Sequence, residues 1–167
     1  MLVSRRIGVL VGILAAAALS PMSAAAQAPQ PLTGTWKLNL PKSTFDPADL
    51  TAPGLVVTYE VRGDTVTASL DGVDSSGHAV HSEYTAAFDG RERPVKGTID
   101  GKPAPDQGMV SWKRIDSRTY EVVNRNGQAI ATRRIVVAAD GKSRTTTIAG
   151  RDAQGRPIHH VMFFDRQ

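Results

Sequence analysis

His78, His81, His159 and His160 are the residues of this sequence best suited to acid–base or metal chemistry. Zinc needs three or four ligands aimed at one point, with each ring oriented by a further partner. Two side chains on one strand share a face only at even spacing, and no two of these histidines have it within one strand. His159 and His160 are adjacent, so they face opposite sides. By phase with Val80 and Tyr84, His81 points away from the expected core. We therefore expect solvated or turn-flanking histidines and no metal site.

The carboxylates point the same way. Asp71, Asp74, Asp89, Asp140 and Asp152 each lie beside a glycine or within a turn. There an Asp side chain bonds its own backbone, which is reason enough for its presence. Asp71-x-x-Asp74-x-x-Gly77 lacks the ligand density and terminal Glu of a calcium loop. Ser75-Ser76-Gly77-His78 is a turn, and no Gly-x-Ser-x-Gly elbow occurs. Neither a phosphate loop nor a dinucleotide fingerprint is present. Without cysteine there is no thiol nucleophile, thiolate metal site or disulfide. No catalytic residue is nominated and no cofactor is expected. Lys113-Arg114 and Arg133-Arg134 split between opposite strand faces and read as solvated edges.

What remains is chemistry by burial, and that depends on the elements around it. Asp64 to Asp89 reads as strand, turn, strand, and the pattern returns over Lys142 to Asp165. Thr145, Thr147, Gly150, Asp152, Gly155, Ile158 and His159 fall in step with Thr67, Ser69, Gly72, Asp74, Gly77, Val80 and His81. Period-two alternation continues in Leu32–Leu40, Leu55–Arg62, Met109–Asp116, Arg118–Arg125 and Gln128–Ala138, with Arg93–Lys96 as a short strand. Asn126-Gly127 is the strongest hairpin signal. Pro41–Gly54 and Thr98–Gly108 read as connections, with Phe45 anchoring the first onto the end of the core. This gives about nine or ten strands at turn spacings of roughly 8–12 residues. No helical period follows the first 26 residues, so the sheet is all antiparallel. Consecutive hairpins close most simply as an up-and-down meander barrel, with a β-sandwich as the alternative.

Residues 1–26 have the form of a secretory signal peptide. Arg5 and Arg6 start it, Ile7 to Leu19 form an apolar run too short for a membrane helix, and Ser23 to Ala26 supply small residues for cleavage. Gln27–Pro31 would then be a flexible tail and residues 32–167 one domain. The expected location is periplasmic or secreted, with no membrane anchor after cleavage. Ser4-Arg5-Arg6 leaves general and twin-arginine export both open. Formal net charge is +4, and two of the 20 basic residues lie in the leader, leaving 18 against 16 acids. That balance gives no concentrated basic face for nucleic acid.

Gly34-Thr35-Trp36, opening the first strand of an exported meander, resembles the Gly-x-Trp start of lipocalins. In that family the Trp packs across the closed end of the barrel, under a basic side chain from a late strand. Arg133, Arg134 and Arg166 are the candidates here. The chain is also similar to a group of exported lipocalin-like bacterial proteins with no assigned function. The likeness lies in Gly34–Asn39, Lys42–Pro47, Asp71–Gly77 and Phe88–Val95. It implies fold and export and supplies no activity.

A barrel of about eight or more strands either fills its interior or holds one small ligand, and both remain open here. The reading is of an exported lipocalin-like protein that binds a small apolar or amphipathic molecule. One strand face would line the site: Trp36, Tyr59, Tyr84, Val122, Ile135, Met162 and Phe164. A filled core would instead favour a protein-binding or inhibitor module acting through the loops. Inward polar groups would favour a small enzyme. Oligomeric state is not specified.

Overall fold

The computed structural model describes residues 30–74, 76–104 and 107–167. The expected signal peptide lies outside them. Twelve strands form one antiparallel sheet: β1 (Gly34–Leu38), β2 (Val56–Arg62), β3 (Thr65–Val73), β4 (Ala79–Ala87), β5 (Arg93–Pro94), β6 (Lys96–Ile99), β7 (Lys102–Pro103), β8 (Met109–Arg114), β9 (Thr119–Asn126), β10 (Ala129–Val137), β11 (Ser143–Arg151) and β12 (Pro157–Arg166). Their spatial order is β5-β8-β9-β10-β11-β12-β1-β2-β3-β4-β6-β7. A single 3-10 turn, Leu40–Lys42, interrupts the strands among the described residues. No helix there is long and apolar enough to cross a membrane.

Alternation decides which face curls inward. Val57, Tyr59 and Val61 are buried on β2, and Val66 and Ala68 on β3. The intervening Thr58, Glu60 and Thr67 are exposed. The same phase buries Val110 and Trp112, Tyr120 and Val122, Ile135 and Val137, and Met162 and Phe164, making one continuous core on the inner face. The repeated hairpin keeps its register in both copies: Gly72 faces Val80, and Gly150 faces Ile158. In each copy the Asp carboxylate accepts backbone N–H groups from its own turn. Asp74 Oδ1 takes those of Ser76 and His78, and Asp152 Oδ1 those of Gln154 and Arg156.

Twelve strands replace the nine or ten expected, and the extra ones come from residues 93–103. The expected single strand there divides at Val95. β5 pairs with β8, whereas β6 pairs with β4. The loop expected over Thr98–Gly108 carries the end of β6 and all of β7. The divided strand spans the gap between the two sides of the curled sheet. Val95 N donates to Gly108 O across it, and Asp89 forms an isolated bridge with Lys113 of β8. The sheet is therefore barrel-like, with β4 and β8 brought together.

One end of the curl is occupied by Trp36, whose Nε1 donates to Leu32 O at 2.9 Å. Of the three candidate arginines, Arg166 lies on this ring, its guanidinium carbon 4.2 Å from the centroid. Its nitrogens donate to Gly141 O, Thr33 O and Pro31 O at 2.5, 2.5 and 2.6 Å. Gly34, at φ 135°, has no Cβ to strike that guanidinium. Of the expected tail, Gln30 and Pro31 are described, and both are held by hydrogen bonds.

Candidate functional site

The interior divides into a filled half and a hollow half. Trp112 fills the first. Its ring meets Tyr59, Phe88 and Tyr120 edge-on at centroid distances of 5.6, 6.0 and 6.1 Å, with Tyr84 tilted at 6.4 Å. Arg114 caps Phe88, its guanidinium carbon 4.2 Å from the ring centroid.

The hollow half is a half-enclosed cavity of about 260 Å³. Its walls come from alternate residues of five strands: Val57 and Tyr59 of β2, Leu70 of β3, Arg133 and Ile135 of β10, Arg144, Thr146 and Ile148 of β11, and His160, Met162 and Phe164 of β12. Phe45, Leu50, Ala52 and Leu55 complete it from the segment between β1 and β2. That segment is stitched to β12. Thr44 and Val161 exchange backbone bonds of 2.8 and 2.9 Å, and His159 N donates to Asp46 O at 2.7 Å. Asp46 N in turn donates to His160 Nδ1 at 3.1 Å. Phe45 anchors as expected, its ring 5.3 Å from that of His160.

Arg144 is the unusual member of this lining. It is 2% exposed. Its guanidinium carbon lies 3.7 Å from the Phe164 centroid, 5.3 Å from Tyr59 and 5.6 Å from Trp36. Among the described residues its one hydrogen bond runs from Nη1 to Thr146 Oγ1 at 2.5 Å, and Nε has no partner. No carboxylate there forms an ion pair with it. Burial pushes its pKa down from the ordinary guanidinium value to about 10, with Tyr59 opposing that shift and Arg133 adding to it. The side chain is still a cation at neutral pH. Arg133 Nε is likewise buried and unpartnered.

Two further groups carry the mark of burial. Tyr84 Oη and Trp112 Nε1 are both buried without a hydrogen-bond partner among the described residues, and burial drives the Tyr84 phenol above its ordinary range. Burial also holds the His160 imidazole below its usual value, against the opposing effects of its hydrogen bonding and Asp46.

All seven nominated lining residues are buried. Tyr59, Ile135, Met162 and Phe164 come together around the cavity. Trp36, Tyr84 and Val122 do not line it: Trp36 sits under Arg166, Tyr84 beside Trp112, and Val122 faces Trp112 across the β8–β9 pair. Sequence reasoning missed Arg133, Arg144 and His160. Arg133 is no solvated edge and His160 no solvated histidine, since both line the cavity. The signal was phase. His160 is in step with Met162 and Phe164, and Arg144 with Thr146 and Ile148. Polarity outweighed it.

The other histidines lie apart. His78 Nδ1 and His81 Nδ1 each contact a carboxylate at 2.7 Å, of Asp100 and Asp71 respectively. Although His81 and His159 hold equivalent places in the repeat, β1, β2 and β3 separate their strands. Among the described residues no three His, Asp or Glu side chains converge as a metal-binding group. No family model matches this chain, and no curated protein matches it either.

Proposed function

We propose that this chain is an exported, lipocalin-like barrel protein that binds a small amphipathic molecule in the cavity beneath residues 41–55. The observation that carries this reading is a lined hollow left unfilled beside a well-packed aromatic half. Binding sites are concave, mostly apolar, and carry a few fixed polar groups. This cavity has Ile135, Ile148, Met162, Phe164 and Leu70 for apolar contact, and Arg144, Thr146 and His160 as polar points. Its volume lies just below the ~300 Å³ at which drug-sized sites begin, which favours a compact ligand. Affinity would come from removing apolar surface from water, at roughly 25 cal/mol per Å² before the costs of association.

Native mass spectrometry against a panel of alkyl amphiphiles tests this. Wild-type protein is expected to retain one ligand per chain. Ile148→Trp, which fills the cavity from β11, is expected to retain none while keeping its strand circular dichroism. Equal uptake by the two proteins would place binding elsewhere and end this reading.

A further inference from the structure

A cation removed from water is costly unless it is paired. Arg144 is such a cation: nearly inaccessible, flanked by three aromatic rings and facing the cavity. Thr146 occupies Nη1 alone. Nε and Nη2 lie on the other edge of the guanidinium, and two parallel N–H groups there form the fork that a carboxylate accepts side-on. Arg133 adds a second buried, unpartnered Nε to the same cavity wall. Farther along β11 and β12 the lining becomes Ile148 and His160, and the segment above contributes Phe45 and Leu50. Arg144 lies in the depth of the cavity, level with Val137 and Phe164, whereas Arg133 lies level with Ile148 and His160, and Phe45 and Leu50 supply apolar surface on the 41–55 side.

We infer that the ligand is an amphipathic monocarboxylate, bound head-inward with its carboxylate on the unpartnered edge of Arg144 and its hydrocarbon tail toward Phe45 and Leu50. This rests on the cavity being the binding site and assigns the chemical class that it selects. Arg144 then acts as the specificity-determining residue. A neutral alcohol of equal chain length gains the same apolar contacts and leaves the guanidinium without its charge partner. An ammonium head is repelled.

The test measures dissociation constants of delipidated full-chain protein for decanoate, decanol, decyl sulfate and decyltrimethylammonium by isothermal titration calorimetry at neutral pH. Decanoate is expected to bind at least about tenfold tighter than decanol, the difference made by one charged hydrogen-bonding partner. The ammonium compound should be the weakest. In Arg144→Met the preference for decanoate over decanol should vanish, with decanol affinity kept. Arg144→Lys, which keeps the charge and loses the fork, should retain only part of that preference. Arg134→Met, on the outer face of β10, should behave as wild type. Circular dichroism establishes that each variant is folded. Equal binding of decanol and decanoate by wild type would overturn the carboxylate assignment while leaving cavity binding intact. Tighter binding of decyl sulfate would overturn the choice of head group. Binding of none of the four would overturn the cavity reading itself.

Discussion

Trp36 has two arginines against its ring, and the molecule treats them in opposite ways. Arg166 spends its donors on three backbone carbonyls at the end of the barrel-like sheet. Arg144 lies inside with one hydroxyl contact and an unpartnered Nε. Both gain from the electron-rich face of the indole. Only Arg166 is also satisfied by the fold. The same side chain is therefore a structural clasp in one region and an unspent charge in the other. The contrast extends to their surroundings, because the Arg166 end is tied shut whereas Arg144 faces open volume.

The sharpest way to break this comparison is to make one substitution at both places. Arg166→Met removes charged hydrogen bonds from three carbonyls and should cost about 3 kcal/mol of stability, read from urea midpoints. Arg144→Met replaces an unpaired buried charge with an apolar chain of similar length. In the ligand-free protein it should stabilise by about 1–2 kcal/mol. Two losses of similar size would mean that Arg144 belongs to the fold in the same sense as Arg166.

Gly34→Ala sharpens the Arg166 side. The new methyl group meets the guanidinium, which cannot retreat without releasing its carbonyls, and φ at this position is 135°. A loss of about 2 kcal/mol is expected. A neutral result would show that the clasp can be rearranged.

The smallest effect concerns the cavity side. His160 is held neutral by burial, and its Nδ1 accepts the Asp46 N–H. Its folded pKa lies below the unfolded value of 6.5, so the unfolded chain takes up the proton first as pH falls. Stability attributable to His160 therefore declines below about pH 6.5 until its folded pKa is passed. Asp46 is the charged neighbour that tempers this, whereas the charge of His159 adds to it. His78, raised by Asp100, works in the opposite direction, so the clean readout is a difference. His160→Asn keeps an acceptor for Asp46 and should show less loss between pH 7 and 5.5, in urea midpoints, than wild type (about the window around the ordinary His value). Parallel curves would remove His160 from the mechanism that holds the 41–55 segment.

Much of the strand architecture was legible because alternation and turn chemistry are local. Asn126-Gly127 marks its hairpin through a glycine at φ 57°, and the two Asp turns bond themselves within a few residues. The division at Val95 was not legible, since it depends on two strands distant in sequence competing for one segment. The candidate site was half legible. Apolar lining residues such as Ile135, Met162 and Phe164 announce themselves by phase. Arg133, Arg144 and His160 share that phase, but their polarity reads as solvent exposure until the surrounding strands are in place.

The amino-acid sequence by itself determined an antiparallel all-β chain, the positions of its main hairpins and the face that turns inward. These follow from contacts between near neighbours, which any window of the chain contains. Which arginine would clasp Trp36, whether the interior would be full, and whether an inward guanidinium would find a carboxylate were decided only by the tertiary structure. Those outcomes depend on how far the sheet curls and on which side chains from β2, β10, β11 and β12 then share one volume. Curvature is a property of the whole sheet, and no single strand encodes it.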